Sequence, residues 1–234
     1  MSSLHIRSLG DTPSSIWSLT SAQVRDLTAS LAPTPGGGAI SIFTATLGLA
    51  LIHKGASISL KRSGEDVTKH EALVALCGKV TTSIASMSGL ADDDSQAFES
   101  YLQARALPRT TEDEKFHRAT AMEAAVLHAT RIPIASAKEI CAALEHAETA
   151  IDLADHHLLT DIFGGILLMQ ASVRAVLLNV DANLSHLSDA ATRSALQQQR
   201  IELERSSNTH TESIAHSYHA RISAGSNLPA TSAK

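Results

Sequence analysis

The helical spacing of apolar residues is the feature that most limits the folds open to this chain. Leu73, Cys77, Val80, Ile84 and Met87 recur at intervals of four and three residues, as on one face of an amphipathic helix. No segment alternates convincingly with period two, as a half-buried strand would. Aromatic residues make up only 3% of the 234 residues, against 44% hydrophobic residues, which favours helices packed closely through small side chains. The sequence therefore predicts an all-α, single-domain bundle of about seven to eight helices.

Composition and turn residues divide the chain into an arm, one domain and a tail. We expect an irregular N-terminal arm over residues 1–18, a helical domain over residues 19–222 and a frayed tail over residues 223–234. Within the domain, Gly89 is expected to end one helix, and Pro133 to break or kink another, because neither residue favours a helix interior.

Polar residues mark the expected helix starts. Asp92-Asp93-Asp94 is expected to begin a helix after Gly89, where acids match the helix dipole. Thr111-Glu112-Asp113-Glu114 has the pattern of a capping box. Thr160 and Ser188-Asp189 are predicted to cap two later helices.

Charge, cysteine content and hydrophobic runs limit the partners and the compartment. A net charge of −5 argues against a general nucleic-acid binder, which needs a basic face. Cys77 and Cys141 are too few for a disulfide framework, so we expect two buried thiols in a reducing compartment. The start of the chain lacks the apolar core of a signal peptide. The run from Ala39 to Ile52 is too short to span a bilayer, and the run after Asp161 carries polar residues. We therefore expect a cytoplasmic protein with no membrane partner.

A glycine-rich stretch, Pro33-Thr34-Pro35-Gly36-Gly37-Gly38, precedes the apolar run that begins at Ala39. The first N–H groups of a helix have no intrahelical partner, and glycines leave them open to an anionic or carbonyl-bearing ligand. The alternative is an ordinary tight turn before a buried helix. The stretch is neither a Walker loop, because Gly-Lys-Ser/Thr is absent, nor a Rossmann fingerprint, because no strand precedes it.

The segment from Asp161 to Leu184 is a strongly apolar helix with polar groups on two opposite sides. Asp161 and Asn179 share one side, and Arg174 lies on the other. Asp161 and Asn179 are separated by roughly 27 Å along the helix axis, so they cannot serve one small site within a single chain. Polar groups on both sides of a central helix need partners, which favours a homodimer.

Taken in order, several motifs resemble the cyclodeaminase/cyclohydrolase family of folate enzymes. The resemblance covers about residues 20–215. Its first motif is the glycine-rich stretch followed by Leu47-Gly48. The later motifs are, in chain order, Lys61-Arg62, Asp93-Asp94-Ser95-Gln96-Ala97-Phe98, Leu107-Pro108, Thr160-Asp161 and Arg174…Leu178-Asn179-Val180…Asn183. The family includes methenyltetrahydrofolate cyclohydrolases and the deaminase half of formiminotransferase-cyclodeaminase. The resemblance implies an all-α homodimer that binds a reduced folate as substrate, with no metal and no other cofactor.

The reaction of a reduced folate suggests a role for each residue that matches a family motif. The cyclic amidinium cation of methenyltetrahydrofolate needs a base, a proton donor and a nearby anion when water adds or ammonia leaves. Asp161 and Asp94 are the candidate carboxylates, and Lys61 could orient water or lend a proton. Substrate binding is assigned to Pro33, Thr34, Pro35, Gly36, Gly37, Gly38, Arg62, Arg174, Asn179 and Asn183.

Each of these candidate residues also has a purely structural interpretation. Asp161 could be a helix cap, Asp94 a solvated first-turn acid, and Lys61-Arg62 two solvated cations at a helix end. The chain departs from the family pattern at His53-Lys54, at Ala154-Asp155-His156-His157, where Ala154-Asp155 replaces the family's Gly-Asn, and at Ile162-Phe163-Gly164. These changes leave room for an enzyme of the same fold acting on a non-folate cyclic amidine or imine, or for a non-catalytic helical binding protein.

Overall fold

A computed structural model describes residues 15–226, so most of the expected arm and tail lies outside the described residues. It contains six α-helices: α1 Ser21–Thr28, α2 Gly37–Lys61, α3 Val67–Ala106, α4 Glu112–Leu153, α5 Leu159–Leu184 and α6 Ala190–Ser226. Two short 3₁₀ helices, Ile16–Ser18 and His156–Leu158, complete the secondary structure, and the described part of the chain contains no strand. The all-α bundle is confirmed, although the helices number six rather than the expected seven to eight.

The difference in number arises because two expected breaks do not occur. Gly89 lies inside α3, so the three acids at 92–94 sit within a continuous helix rather than at a helix start. Pro133 lies inside α4 and is buried, and the helix continues through it to Leu153. Both helices run across the whole bundle, and the burial of one face along their length outweighs the propensity of a single residue.

The predicted caps are correct at two of three helix starts. Thr111 and Glu114 form the complete capping box of α4. At α6, Asp189 accepts the Thr192 N–H at 2.8 Å, and its bonds to Thr192 hold the pKa of this carboxyl below its ordinary value. Thr160 does not cap α5, which already begins at Leu159 as a continuation of the preceding 3₁₀ helix.

Helices α2 and α5 form the antiparallel centre of the bundle. A Cβ built on Gly48 would lie 2.5 Å from the carbonyl oxygen of Gly165, and one built on Gly55 would lie 2.6 Å from the side chain of Ile162. At Gly48 only glycine allows the backbones of α2 and α5 to approach this closely, and at Gly55 the missing side chain leaves room for Ile162. Helix α3 covers α2 on another side and also runs antiparallel to it, so residues distant in sequence meet at each end of α2.

Helix α2 continues past the polar pair His53-Lys54 to Lys61, so the apolar run from Ala39 to Ile52 is only part of a longer helix. His53 Nδ1 lies 3.3 Å from Ser57 Oγ, and Lys54 pairs with Asp161, so both side chains are accommodated within a helix of 25 residues. The expectation that this run is too short to span a bilayer is therefore wrong. Within the described residues, three helices are long and apolar enough to cross a membrane, by length and composition alone: Gly37–Lys61, Val67–Ala106 and the combined segment His156–Leu184.

Candidate functional site

The glycine-rich stretch meets α3 and α5 at the N-terminal end of α2. A Cβ built on Gly38 would lie 2.5 Å from Asp94 Oδ2 and 2.5 Å from Asn179 Nδ2, so this glycine leaves space that two polar side chains occupy. Glycine is required at position 38 because a side chain would collide with these neighbours. Backbone strain is not the reason, because the only residue with a positive φ among the described residues is Gly64. We call Thr34–Gly38 together with Asp94 and Asn179 the glycine seat.

Asp94 is the carboxylate of the glycine seat, and its environment is unusual for an acid. Burial raises the pKa of Asp94 from 3.8 to about 6, and a hydrogen bond from the backbone N–H of Ala39 partly opposes this rise. A carboxyl that titrates near pH 6 can take up and release a proton close to neutral pH. Such shifts are frequent in catalytic sites, which supports a chemical role for this group.

The three consecutive acids of α3 do different things. Asp92 accepts the backbone N–H of Ile16 at 2.9 Å and so fixes the 3₁₀ turn before α1 to α3. Asp93 is exposed. Of the three acids, only Asp94 reaches the glycine seat. The sequence alone could not identify Asp94 as this acid, because the register of α3 against α2 determines which acid faces Gly38.

The turn before α2 is open at its centre and anchored at its edge. Gly36 is the N-cap of α2 and has no side chain to occupy the first N–H groups, and a Cβ built on Gly37 would meet nothing within 4 Å. The peptide between Thr34 and Pro35 is cis. Thr34 is only 6% exposed, and its Oγ1 lies 3.4 Å from Glu99 Oε1 on α3.

Two further residues assigned to substrate binding lie on α5 but differ in their surroundings. Asn183 donates to the carbonyl oxygen of Ala129 at 3.2 Å and thereby ties α5 to α4. Arg174 is exposed and has no ion-pair or hydrogen-bond partner among the described residues. Within one chain, Asn179 is therefore the α5 residue that takes part in the glycine seat.

The remaining candidates lie at the opposite end of α2. Asp161 Oδ2 accepts Lys54 Nζ at 2.8 Å, and both side chains are about half exposed. Lys54 follows Gly38 by sixteen residues, which places the pair roughly 24 Å from the seat along α2. The structure therefore does not bring the two candidate carboxylates, Asp161 and Asp94, together within one chain. The separation expected from sequence was that of Asp161 from Asn179, and Asp94 lies beside Asn179 at Gly38.

The basic pair after α2 joins the same distant end. Arg62 Nη1 lies 2.7 Å from His157 Nε2 and 3.9 Å from Asp155 Oδ2, and Lys69 Nζ donates to Asp155 Oδ1 at 3.2 Å. Arg62 thus ties the connection between α4 and α5 to the end of α2. Lys61 is exposed and has no such partner within the described chain.

Three partners of the candidate residues are not predictable from the sequence: Glu99, Lys54 and Asp155. Glu99 follows Asp94 by five residues, but nothing in the local pattern relates it to Thr34, which lies outside α3. Lys54 and Asp155 stand out in the sequence only as departures from the family pattern. No group of three or more His, Cys, Asp or Glu residues within positions 15–226 is arranged to hold a metal ion.

Comparison with known proteins places the chain beside folate enzymes. A family model described as formiminotransferase-cyclodeaminase matches residues 20–202. The methenyltetrahydrofolate cyclohydrolase of Methylorubrum extorquens is 28% identical over 163 residues, covering 70% of this chain and 78% of the relative. The formimidoyltransferase-cyclodeaminase of Sus scrofa is 26% identical over 192 residues, and the match covers 80% of this chain but only 34% of the much longer relative.

The fold is similar to that of a solved structure. The crystal structure of formiminotetrahydrofolate cyclodeaminase from Thermotoga maritima aligns with a TM-score of 0.76 at 21% identity. The alignment covers 87% of this chain and 98% of that chain, so the six-helix bundle is shared nearly throughout.

Proposed function

Because the chain belongs to the formiminotransferase-cyclodeaminase family, we propose that it is an enzyme of folate one-carbon metabolism that acts on the C–N bonds of the one-carbon bridge. The reaction is either hydrolysis of methenyltetrahydrofolate or cyclisation of formiminotetrahydrofolate with release of ammonia. The observation that carries the proposal is the carboxylate of Asp94, partly buried against the open glycines at the start of α2.

The residues of the glycine seat suit this chemistry. In the hydrolytic reaction, water bonds to the bridge carbon and gives up one proton. The hydroxyl of the adduct then releases its remaining proton to solvent as the carbonyl forms, and the bond to one ring nitrogen breaks as that nitrogen takes up a proton. Asp94 can accept the proton of the water and return it to the leaving nitrogen, and its charge stabilises the amidinium cation. The amide of Asn179 and the free N–H groups of α2 can bind polar atoms at the edge of the substrate ring.

The two reactions are separated by two assays on the purified protein. Methenyltetrahydrofolate absorbs in the near ultraviolet, and its hydrolysis removes that band. Cyclisation of formiminotetrahydrofolate instead produces the band and releases ammonia. Turnover of either compound supports the proposal and identifies the reaction. If neither is turned over while the protein is folded, a non-folate cyclic amidine or imine becomes the substrate to seek.

We further propose that the protein is a homodimer formed through α2 and α5. Four leucines on these adjacent helices are exposed, and we call them the leucine patch: Leu47 (47%), Leu167 (46%), Leu168 (39%) and Leu178 (63%). Several large exposed leucines on two adjacent helices favour a contact with another chain. A two-fold contact covers the patches of both copies at once, since each patch meets its own equivalent.

The homodimer makes a measurable prediction about the leucine patch. We expect Leu167→Asp to convert a dimer into a monomer in light scattering at micromolar concentration, because a charge in the contact would be desolvated without a partner. Phe116→Asp is the matched control, because Phe116 is 76% exposed on α4 and lies outside the patch. A wild-type protein that is monomeric, or that associates only with lipid vesicles, would refute the homodimer.

The dimer also offers a role for Asp161. A two-fold axis perpendicular to α2 and α5 near Leu47 makes the partner's helices antiparallel to their equivalents in the first copy. The partner's Asp161 then lies at the same height along the helix axis as the glycine seat. We propose that Asp161 acts there, in the site of the other copy. The Asp161–Lys54 ion pair, half exposed within one chain, remains available for such a contact.

The shared site predicts complementation between inactive variants. We expect Asp161→Asn and Asp94→Asn each to lose most turnover as homodimers. When the two variants are unfolded together and refolded, half of the dimers are mixed, and each mixed dimer has one complete site. About a quarter of wild-type specific activity should return. Absence of any recovery in demonstrably mixed dimers would place Asp161 outside the shared site, and full activity of Asp161→Asn alone would make it structural.

We propose a cytoplasmic location for this enzyme, with no nucleic-acid or membrane partner. Both cysteines, Cys77 and Cys141, are free thiols, as a reducing compartment allows. The net charge of −5 disfavours binding to nucleic acid.

A further inference from the structure

The Pro33–Gly38 turn has few means of holding its position against α3. Pro33 and Pro35 have no N–H group to donate. Within the described residues, the only hydrogen bond from the segment 31–35 to another helix joins Thr34 Oγ1 and Glu99 Oε1 at 3.4 Å. The hydroxyl donates and the carboxylate accepts. Because Thr34 is buried, loss of this acceptor would leave a polar group without a partner.

Two acids of α3 therefore hold the two sides of the same turn. Asp94 accepts the N–H of Ala39 on the side of α2, and Glu99 accepts the hydroxyl of Thr34 on the side of the incoming chain. The acids are five residues apart on one rigid helix, roughly 7.5 Å along its axis. This arrangement fixes the distance between the open glycines and the carboxylate of Asp94.

We infer that Glu99 is a positioning residue, which acts through Thr34 to hold the Pro33–Gly38 turn at the spacing from Asp94 that the substrate requires. The inference rests on the proposed function only in treating the turn as part of a substrate site. Its structural core, the coupling of Glu99 to the turn through one hydroxyl, can be tested without any substrate.

The substrate-free test is hydrogen exchange of the turn. We expect Thr34→Val and Glu99→Ala each to accelerate amide exchange about tenfold in the peptide spanning residues 31–38, with no change in peptides from α4. Because both substitutions remove the same bond, the double variant should exchange no faster than either single variant. Thr34→Ser keeps the hydroxyl and Glu99→Gln keeps an acceptor oxygen, so both should remain close to wild type.

Kinetics with methenyltetrahydrofolate give the functional readout. We expect Glu99→Ala to raise KM about tenfold and to leave kcat within about threefold, and Glu99→Gln to keep KM close to the wild-type value. A wild-type protein that turns over no folate rejects the proposed function alone, and exchange still decides the role of Glu99. Unchanged exchange in the two single variants, additive effects in the double variant, or Glu99→Gln matching Glu99→Ala would each overturn the inference.

Discussion

Replacement of Asp94 by asparagine is expected to lower kcat by about 10²–10⁴-fold while making the folded protein more stable at neutral pH. The loss follows from removing the proton-accepting carboxylate beside the open glycines, and its size is typical of general acid–base catalysis. Asparagine has nearly the same shape, so the space beside Gly38 and the contact with Asn179 should persist.

The gain in stability follows from the direction of the pKa shift. The pKa of Asp94 in the folded protein, about 6, lies above the ordinary value of 3.8 because burial disfavours the charged form. The contribution of Asp94 to stability is therefore complete below about pH 3.8 and is lost as the pH rises through about 6. At pH 7.5 the ionised carboxylate lowers the free energy of unfolding by on the order of 1–3 kcal/mol. Asparagine carries no charge and therefore avoids this loss.

Two measurements on the Asp94→Asn variant check this pair of expectations. Its Tm at pH 7.5 should exceed that of wild type by several degrees, and the difference should vanish below about pH 4. For wild type, kcat/KM should fall as the pH drops below about 6, where Asp94 becomes protonated. Asp93→Asn is the matched control, because Asp93 is exposed and should affect neither quantity. If Asp94→Asn and Asp93→Asn lost activity equally, Asp94 would not be the catalytic carboxylate.

Replacement of Gly37 by valine is expected to abolish tight substrate binding with little effect on folding. A Cβ at this position meets nothing within 4 Å of the chain, so the side chain has room in the free protein. It would, however, occupy the space in front of the free N–H groups of α2. Each hydrogen bond lost to a charged group costs about 1.5–3 kcal/mol, or roughly ten- to a hundredfold in affinity.

Gly38→Ala provides the contrast for this prediction. Its added methyl group would collide with Asp94 and Asn179, so both stability and affinity should fall, with a loss of about 1–3 kcal/mol in folding. Melting temperature and folate binding on the two variants distinguish a binding site from a structural turn. If Gly37→Val lowered the melting temperature as much as Gly38→Ala but left affinity intact, the turn would be structural and the glycine seat would not be a binding site.

The sequence predicted the components of the site better than their arrangement. The prolines and glycines before Ala39 correctly placed the start of α2, because these residues act locally. Asp94 and Asn179 were both candidates, but their meeting at Gly38 depends on α3 and α5 each running antiparallel to α2 in one register. Local patterns contain no information on that register.

The wrongly expected helix breaks and the missed residue Glu99 also result from tertiary contacts that local patterns do not contain. Gly89 and Pro133 are poor helix residues, yet α3 and α4 continue through them because burial along the bundle decides the length of each helix. Glu99 could not be found from local patterns because its partner, Thr34, lies 65 positions away in sequence. By contrast, the separation of Asp161 from Asn179 was predictable, since both lie on one helix with a fixed rise per residue.

The most direct test compares the bleaching of methenyltetrahydrofolate and the consumption of formiminotetrahydrofolate by wild type, Asp94→Asn and Asp93→Asn at pH 7.5. The proposed function predicts rapid turnover of one folate by wild type and Asp93→Asn. It predicts that Asp94→Asn still binds that folate but turns it over at least about a hundredfold more slowly. Turnover by Asp94→Asn at the wild-type rate, or no turnover of either folate by folded wild type, would contradict a folate C–N enzyme centred on Asp94.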